Sequence, residues 1–517
     1  MEATAWLNQL IGRTHDHALL FSIIPTTFLA ILLLLLALWL FRVRSIDDLP
    51  LPPGPWSLPW LGYLPFIDTE APYETFQQLA RQYGPVYSVR LGDVFTVVVS
   101  DPKLIRQAFA QEAFAGRAPL YLTHGIMKGH GLICAEGDMW REHRKFMVGV
   151  MKELGMGRSG DGRALMEARI MDRVMELVQS LRASEGESVD MVPKLRHCIG
   201  NITNGVVFGR HYAEDDPIWI WLQHLLDEGM KQVAVAGPLN FLPILRFLPK
   251  FRQTMSFILD GQRETHRHYQ EIIDAHQFDG DGVYSDVIEA YLLEMERRGE
   301  DPGTFTMTQL HHVLADLFGA GTDTAMTTIK WVLLYMIRHP DVQSQVQEEI
   351  DSVIGRQRLP STSDMVRLPM TEAAIMEVQR IKNILPLGVP HGTVQDCALA
   401  GYRIPKKTMV VPLLCAINTD PVLWEDPLTF RPERFLDRST DPVSVCKPDF
   451  FMPFQTGRRM CIGDELGRTI VFLFAATVLQ QFRLSFPQGF HYDWDRKPEY
   501  GFTLVPRPYR IAVQTRR

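Results

Sequence analysis

The sequence is poor in cysteine, and its cysteines are not paired. Only six occur among 517 residues, spread from Cys134 to Cys461 without a C-x-x-C motif. A structural zinc site needs four thiolate or imidazole ligands at short, paired spacings, and a disulfide framework needs regularly spaced cysteines in an oxidising compartment. The pattern favours neither. It predicts idle thiols in a reducing compartment, and leaves Cys461 to be explained separately.

The sequence also lacks an excess of basic residues. Lysine and arginine number 53 against 60 acidic residues, which gives a net charge of -7. Nucleic-acid binding draws most of its affinity from phosphate contacts made by a basic surface, so no nucleic-acid partner is expected. The hydrophobic content of 46% is enough to bury one large core or two to three ordinary ones.

Charged residues are absent from Ala18 to Phe41, the longest apolar run near the N-terminus. As a helix this run spans roughly 36 Å, against roughly 30 Å for the hydrocarbon core of a bilayer. It ends in aromatic and basic residues rather than in a small-residue cleavage site, which favours a retained transmembrane anchor over a cleaved signal peptide. Arg42 and Arg44 follow it, so the positive-inside rule predicts a luminal segment at 1–17 and a cytosolic body.

Five prolines fill Leu49 to Pro59, where they remove backbone donors and fix φ. Residues 42–59 are therefore predicted to be a charged and proline-rich linker, and residues 60–517 a single domain. The domain has mostly helical periodicity, with one clear strand candidate at Val86 to Ser100, where β-branched residues flank a Gly-Asp turn. The expected fold class is mainly α with a smaller β-rich part.

Cys461 lies in "FQTGRRMCIG", Phe454 to Gly463, directly before the strongly helical "DELGRTIVFLFAATVL". A helix N-terminus together with Arg458 and Arg459 is expected to favour the thiolate, which is either a nucleophile or a metal ligand. The alternative is a buried structural thiol. For an isolated cysteine that alternative is the better interpretation, but the F-x-x-G-x-R-x-C-x-G spacing favours a ligand.

This loop resembles the haem-binding loop of the cytochrome P450 monooxygenases at Phe454, Gly457, Arg459, Cys461 and Gly463. The resemblance extends over nearly the whole chain, from the proline-rich segment onward. It implies the cytochrome P450 fold, a haem b cofactor, and Cys461 as the axial ligand of the haem iron. A thiolate in that position pushes electron density through the iron and favours O–O cleavage.

A second motif lies in "DLFGAGTDTAMTTIKWVLLYMI", Asp316 to Ile337, which is helical in period. Its internal Gly319 and Gly321 each cost a helix about 1 kcal/mol relative to alanine, so we expect something to approach the backbone there. The resemblance places the oxygen pocket beside four residues of this helix: Ala320, Gly321, Asp323 and Thr324. It implies that Thr324 hydrogen-bonds bound dioxygen and that Asp323 helps to relay protons. The alternative is a kinked core helix with a capping threonine.

Further family motifs occur at matching positions. Glu377 and Arg380 form an E-x-x-R pair, which in most helices is only a solvated ion pair. The resemblance joins both to Arg434 in a structural network beneath the haem. It also implies a set of hydrogen-bond donors for the haem propionates: Arg117, Trp140, Arg144, His391 and Arg459. A lone histidine is more often a core residue, and Gly392 departs from the arginine or alanine of many relatives.

The electron source must be a separate protein, because the chain contains no nicotinamide or flavin motif. The resemblance to membrane-anchored members implies electrons from NADPH through NADPH–cytochrome P450 reductase, with cytochrome b5 as a second candidate donor, at the endoplasmic reticulum membrane. The basic run Arg141 to Lys145, with Lys447 and Arg458, is a candidate docking surface for an acidic donor, although charge runs often only solvate a surface.

The substrate is expected to be a lipophilic small molecule, because the apolar, proline-interrupted stretch Val233 to Phe251 could enter a bilayer surface. By family analogy, five segments form the pocket walls: Tyr121 to Leu132, Val233 to Phe241, Leu317 to Ala320, Leu385 to Val389 and Gly501 to Val505. Phrases such as "GLICAEGD" and "KELGMG" resemble the insect ecdysteroid hydroxylases, particularly those acting on side-chain carbon 25.

Several alternatives stay open at this point. The oxidation could fall on ecdysteroid carbon 26, or on xenobiotics or fatty acids. A haem-thiolate isomerase or dehydratase would need no reductase, although the intact "AGTDT" argues against one. A membrane-anchored haem carrier or gas sensor is the non-enzymatic alternative, and would need Cys461 but not Thr324.

Overall fold

The computed structural model describes residues 49–157, 161–235, 237–276 and 283–516. The predicted luminal segment, the predicted anchor at 18–41 and the first part of the linker lie outside these residues. Among the helices that the structure does describe, none is both long and apolar enough to cross a membrane.

Helices dominate the described residues, as predicted. The α-helices are α1 (Pro72–Tyr83), α2 (Pro102–Ala110), α3 (Gly137–Met151), α4 (Asp161–Ala183), α5 (Met191–Val207), α6 (Pro217–Val235), α7 (Pro249–Asp274), α8 (Val287–Arg298), α9 (Met307–Arg338), α10 (Pro340–Val353), α11 (Pro369–Ile381), α12 (Leu414–Asn418) and α13 (Asp464–Gln481). Short π or 3₁₀ turns occupy Leu64–Phe66, Glu112–Phe114, Tyr121–Ile126, Lys152–Met156, Gly237–Asn240, Pro243–Phe247, Thr362–Arg367 and Pro432–Phe435.

The helix starts follow from local sequence. Proline stands in the first turn of α1, α2, α7, α10 and α11, where a missing N–H costs nothing and the fixed φ suits the helix. Asp101, Asp190 and Asp286 cap α2, α5 and α8 by accepting hydrogen bonds from backbone N–H groups of the first turn. Thr306 caps α9 in the same way.

The smaller β-rich part consists of short strands: β1 (Val86–Leu91), β2 (Val94–Val99), β3 (Gly116–Arg117), β4 (His391–Gly392), β5 (Cys397–Leu399), β6 (Tyr402–Ile404), β7 (Met409–Pro412), β8 (Leu436–Asp437), β9 (Ser444–Val445), β10 (Phe482–Ser485), β11 (Glu499–Tyr500), β12 (Leu504–Val505) and β13 (Ala512–Thr515). Five of them form one sheet in the order β1-β2-β7-β4-β3. The predicted Gly-Asp turn joins β1 to β2, with Leu91 opposite Val94. Gly92 takes the positive φ of +57° that this turn requires.

The main core surrounds α9, which at 32 residues is about 48 Å long. From Ala325 to Ile337 every residue of α9 is buried. This half packs in one hydrophobic cluster with α5 and α13, and α13 is itself buried from Thr469 to Gln480. A helix that is hydrophobic on all sides belongs in the centre of a large domain. The N-terminal half of α9 is less enclosed, and borders the cavity described next.

Candidate functional site

An elongated cavity of about 270 Å³ lies between the N-terminal half of α9 and the loop that precedes α13. Its wall is mostly apolar. The wall contains Cys461 and Phe454 on the loop side, and Ala320, Gly321 and Thr324 on the α9 side. The structure therefore brings together, from opposite sides of one cavity, two motifs that are more than a hundred positions apart in the sequence.

The loop carrying Cys461 is held by its own backbone. The Cys461 N–H donates to the Phe454 carbonyl oxygen at 3.1 Å, and the Met460 N–H donates to the Gly457 carbonyl oxygen at 3.2 Å. Gly457 has a φ of +80°, and a Cβ added there would lie 2.3 Å from the Phe109 carbonyl oxygen. Glycine is therefore required at this position both by the backbone conformation and by the close approach of α2.

Cys461 has exposed surface and lines the cavity, although neighbouring protein atoms crowd its thiol. Burial raises its pKa above the usual value, although the Gly463 N–H and Arg144 act in the opposite direction. The expectation that Arg458 and Arg459 favour the thiolate is therefore wrong. Arg458 instead pairs with Glu112 at 3.0 Å, and Arg459 donates to the Ala115 carbonyl oxygen at 2.6 Å. A bound metal ion removes this obstacle, because a coordinating thiol is deprotonated by the ion's own charge.

Three guanidinium groups gather at one end of the cavity. Arg117 donates to the Ile133 carbonyl oxygen at 2.7 Å, Arg144 donates to the Met460 carbonyl oxygen at 2.7 Å, and Arg459 stacks over the Trp140 ring at 4.4 Å. Within the described ranges, none of the three has a carboxylate oxygen within 4.0 Å. Burial lowers the pKa of Arg459 to about 8 and that of Arg117 to about 10, each with a contribution from the neighbouring guanidinium.

This donor set tests whether a haem fits. Cations that are clustered, poorly solvated and without a carboxylate partner are unfavourable until an anion joins them. The two propionates of a haem are such anions, and the apolar remainder of the wall suits the porphyrin. Cys461 stands on the same wall, in a position to supply a thiolate. The residues of this cavity therefore fit haem.

His391, also predicted to bind a propionate, lies outside the cavity wall. It is fully buried in β4, its Nδ1 is 2.9 Å from the Phe114 carbonyl oxygen, and its ring stacks on Phe109 at 3.6 Å. Burial and the charge of Arg117 hold its pKa well below the usual range. Its role as a propionate donor stays a prediction.

Three polar side chains of α9 line the cavity: Asp316, Thr324 and Thr328. The Thr324 hydroxyl donates to the Ala320 carbonyl oxygen at 2.7 Å and faces the cavity. A Cβ at Gly321 would lie 3.2 Å from Thr203 of α5, so this glycine permits close helix packing, as expected. At Gly319, by contrast, no atom lies within 4 Å of an added Cβ, so the expected close approach to the backbone is not found there.

Asp323 is directed away from the wall. Its carboxylate accepts a hydrogen bond of 2.8 Å from the hydroxyl of Thr503, a residue that is 1% exposed. The predicted acid–alcohol pair therefore consists of adjacent residues on different faces of α9. Its proton-relay role stays a prediction.

The sequence analysis assigned no role to Asp316, although this residue lines the cavity. Its carboxylate accepts hydrogen bonds from the Leu132 and Ile133 N–H groups at 2.7 and 2.8 Å, and so joins this loop to α9. Burial raises its pKa to about 6 despite those two bonds. The spacing of Asp316, Ala320 and Thr324, four residues apart, was the available signal, because it puts all three on one helix face.

The predicted charge network is present. The Arg380 Nε lies 2.7 Å from a Glu377 carboxylate oxygen, and the Arg434 Nε lies 3.1 Å from the other. The side chains of Glu377 and Arg380 are both fully buried. Arg380 also donates to the Asn418 carbonyl oxygen at 2.6 Å, and Glu377 accepts from the Arg431 N–H at 2.9 Å. The network thus ties α11 to the chain segments that precede the Cys461 loop.

The predicted basic surface is partly neutralised. Arg141 pairs with both Glu112 and Asp138, and Arg458 shares the Glu112 carboxylate. Lys447 lies over the Phe451 ring at 5.9 Å. Lys145 remains exposed on this side, so a smaller cationic surface than expected is left for docking.

Elsewhere in the described part of the chain, one cluster has ligand atoms close enough to hold a metal ion; it is formed by His276, Asp286 and Glu289. Its groups already have partners. Asp286 caps α8 and lies 3.2 Å from the His276 Nε2, and Glu289 accepts from the Ser285 N–H at 2.7 Å. These contacts join the end of α7 to the start of α8, and this structural role explains why the three side chains lie together.

Comparison with known proteins agrees with the fold and the cavity. The cytochrome P450 family model matches residues 52–513, so the chain belongs to the cytochrome P450 family and is a monooxygenase. Membership implies haem iron, a mainly helical fold as observed, and electrons supplied by a reductase. Cytochrome P450 18a1 of Drosophila melanogaster is 37% identical, over 94% of this chain and 91% of its own.

Two further relatives show how broad this similarity is. Cytochrome P450 306a1 of Drosophila melanogaster is also 37% identical, over 89% of this chain and 88% of its own. Human cytochrome P450 2J2 is 34% identical, over 89% of this chain and 91% of its own. Insect and vertebrate members thus match with nearly equal identity, which supports the family but does not select one substrate.

Proposed function

We propose that this monooxygenase holds haem b through Cys461 and hydroxylates the side chain of a steroid at carbon 25 in ecdysteroid biosynthesis. The observation that carries the first part is the cavity with Cys461 on one wall, Thr324 on the other, and three unpaired guanidinium groups at one end. When bound, the haem supplies the activation of dioxygen. The net reaction is R–H + O₂ + NADPH + H⁺ → R–OH + H₂O + NADP⁺.

The residues of the chain have distinct tasks in this proposal. Arg117, Arg144 and Arg459, with the Trp140 indole, bind and orient the propionates by charge-assisted hydrogen bonds. Cys461 supplies the thiolate. The apolar wall excludes bulk water, so that protons enter only where a side chain holds them. The Thr324 hydroxyl holds a proton at Oγ1 beside the reacting centre, and the neighbouring Asp323 carboxyl resupplies it.

Electrons come from NADPH through NADPH–cytochrome P450 reductase, with cytochrome b5 as a second donor. We place the docking surface around Lys145 and Arg458, close to the Cys461 loop. The docking surface would then lie on the same side of the cavity as Cys461 and the three guanidinium groups. This arrangement gives a short path for electrons.

A membrane location is supported by exposed apolar side chains in two adjacent segments. Trp56 and Trp60 are 69% and 50% exposed, and Ile244 and Phe247 are 73% and 70% exposed. Gly92 connects the two segments, because its N–H donates to the Leu61 carbonyl oxygen and a Cβ added to it would lie 2.2 Å from the Phe241 carbonyl oxygen. With the anchor predicted at 18–41, these side chains would face the endoplasmic reticulum membrane, and the catalytic domain the cytosol.

The substrate assignment rests on the apolar cavity and on motif resemblance. Four of the five predicted wall segments contribute to the cavity, through Leu132, Leu317, Leu385 and Phe502 among others. A lipophilic substrate with few polar groups suits such a wall. The phrases "GLICAEGD" and "KELGMG" resemble those of the insect carbon-25 hydroxylase Phantom, which is why carbon 25 is proposed.

The test is reconstitution of the full chain in phospholipid vesicles with the reductase, NADPH and ¹⁸O₂. Ecdysteroid precursors without a hydroxyl at carbon 25 are supplied, and products are located by mass spectrometry and NMR. We expect one ¹⁸O atom at carbon 25. Product hydroxylated only at carbon 26 would show that the enzyme acts on carbon 26 instead of carbon 25. Oxidation of fatty acids without oxidation of any sterol would reject the steroid assignment. Conversion without reductase would indicate an isomerase or dehydratase.

A further inference from the structure

The turn between β11 and β12 touches the cavity and α9 at the same time. Phe502 at the tip of this turn is part of the cavity wall, while the next residue, Thr503, is buried and donates its hydroxyl proton to the Asp323 carboxylate at 2.8 Å. Asp323 in turn directly precedes Thr324, the hydroxyl that faces the cavity. One short turn therefore connects the cavity wall with the residue that is proposed to resupply protons.

The turn is fixed firmly enough to hold a side chain in place. The Gly501 N–H donates to the Thr503 carbonyl oxygen at 3.1 Å, and the Leu504 N–H donates to the Ile384 carbonyl oxygen at 2.8 Å. The Trp331 indole, two helical turns beyond Asp323, donates to the Leu504 carbonyl oxygen at 2.8 Å. Thr503 thus reaches Asp323 from a segment that is bonded on both sides, and its hydroxyl does not depend on a flexible loop.

We propose that Thr503 is a positioning residue for the reaction, and that its hydroxyl holds the Asp323 carboxylate on the side of α9 turned away from the cavity, from which protons pass through ordered water to the Thr324 hydroxyl. The inference deepens the proposed function, because it rests on the proton-relay role of Asp323. A carboxylate on a helix has several rotamers, and a hydrogen bond from a rigid neighbour favours one of them. Without that bond, proton delivery becomes less probable at each turnover.

The consequence of slow proton delivery is measurable. Reducing equivalents that do not reach product leave as peroxide, by O₂ + NADPH + H⁺ → H₂O₂ + NADP⁺. The ratio of peroxide formed to NADPH consumed therefore reports on proton supply. It can be measured with any lipophilic compound that the enzyme turns over, so failure of the steroid assignment does not affect it.

The matched variants are Thr503→Val, which keeps the shape and removes the donor, and Thr503→Ser, which keeps the donor. In the haem-loaded full chain we expect Thr503→Val to raise the peroxide-to-NADPH ratio at least threefold and to increase the solvent deuterium isotope effect on product formation. Thr503→Ser should restore both to wild-type values. The substrate Kd from spectral titration should be equal in all three proteins, because Thr503 does not line the cavity.

A second measurement, which does not depend on turnover, tests whether the Thr503 hydroxyl orders the segments that it joins. Hydrogen–deuterium exchange should increase in peptides covering 320–326 and 499–505 of Thr503→Val, and not in Thr503→Ser. Increased exchange with an unchanged peroxide ratio would show that the bond is only structural, and would overturn the proposal. Unchanged exchange and an unchanged ratio would overturn it as well, as would a Thr503→Ser protein that behaves like Thr503→Val. If wild type turned over no compound at all, the proposed function would fail before this comparison began.

Discussion

The two walls of the cavity are built in different ways. The Cys461 loop is fixed by backbone hydrogen bonds, and at Gly457 a positive φ and the close approach of α2 permit only glycine. The α9 wall is instead made of single side chains, whose directions depend on partners elsewhere, such as the Leu132 and Ile133 N–H groups for Asp316. The comparison teaches that the first wall is recognisable from a short motif, whereas the second requires the whole fold.

The same contrast predicts how each wall responds to substitution. Changes around the loop should abolish haem binding or folding, because the backbone has no alternative path. Changes on the α9 wall should leave a folded, haem-bound protein with altered chemistry. The predictions below test this difference, from the largest expected effect to the smallest.

The largest effect is expected from Arg380→Leu, which removes one member of the network that supports the loop. Glu377, which is fully buried, would then keep only Arg434 as an ionic partner, with the Arg431 N–H as a further donor. Removing one partner of a buried charge costs about 3–5 kcal/mol. Typical stabilities are about 5–15 kcal/mol, so this cost removes a large share of the stability, and the yield of folded protein should fall. The control is Arg297→Leu, which breaks the surface pair with Glu294, where Arg297 is 70% exposed; its cost should stay below about 1 kcal/mol. The measurement is the yield of soluble haem-bound protein, and equal yields would contradict the account.

Gly457→Ala should have the next largest effect. The new methyl group would collide with the Phe109 carbonyl oxygen at a position where φ is +80°. Gly489→Ala is the matched control, because its φ is +78° but no atom lies within 4 Å of an added Cβ. We expect the control to lose about 1 kcal/mol by urea unfolding and to keep its haem, and Gly457→Ala to lose its haem. Similar behaviour of both variants would show that the close contact with α2 is unimportant.

On the α9 wall, Thr324→Ala should fold and bind haem and substrate normally, but form several-fold less product per NADPH consumed. The reason is the loss of the only hydroxyl proposed to hold a proton beside the reacting centre. Thr328→Ala is the control one helical turn away, since its hydroxyl bonds the Thr324 carbonyl oxygen at 2.8 Å. An unchanged ratio in Thr324→Ala would remove this residue from the proposed machinery without affecting the haem assignment.

The smallest predicted effect concerns acid stability. His312 on α9 packs against His266 and His130, and burial with these neighbours lowers its pKa from 6.5 to about 4. Because the folded-state pKa is depressed for a base, the unfolded chain binds the proton first, and stability is lost as pH falls from 6.5 towards 4. Between pH 7 and pH 5 this loss is about 2 kcal/mol.

Replacing this histidine tests that sign. In His312→Asn the decrease of unfolding free energy between pH 7 and pH 5 should shrink by about that amount. The exposed His491→Asn should leave the decrease unchanged. The measurement is urea unfolding of the haem-bound chain at the two pH values, and a steeper decrease in His312→Asn would refute the explanation.

The sequence was most informative where chemistry restricts the residue type. The Cys461 loop, the Glu377–Arg380–Arg434 network and the β1–β2 turn all appear as predicted, since each depends on a short motif. The sequence was less informative about the surroundings of each side chain in the folded protein. It predicted a lowered pKa for Cys461, because adjacent arginines were assumed to face the sulfur, whereas the fold directs them elsewhere and burial raises the pKa.

Side-chain direction was the other limit. Thr324 and Asp323 are adjacent in sequence, yet only Thr324 faces the cavity, because Thr503 from a distant hairpin bonds Asp323. Asp316 shares the Thr324 face and was not singled out, because its partners are two backbone N–H groups that no motif records. Such contacts join segments far apart in the chain, and a single sequence does not reveal them.

The central claim, that Cys461 is the thiolate ligand of haem iron, is tested most directly by the spectrum of the reduced, carbon monoxide-bound protein. Wild type and Cys446→Ser, in which the other exposed cysteine is replaced, should both show the thiolate–carbonyl band. Cys461→Ser should lose that band while remaining folded. Retention of the band in folded Cys461→Ser, or its loss in Cys446→Ser, would contradict the account.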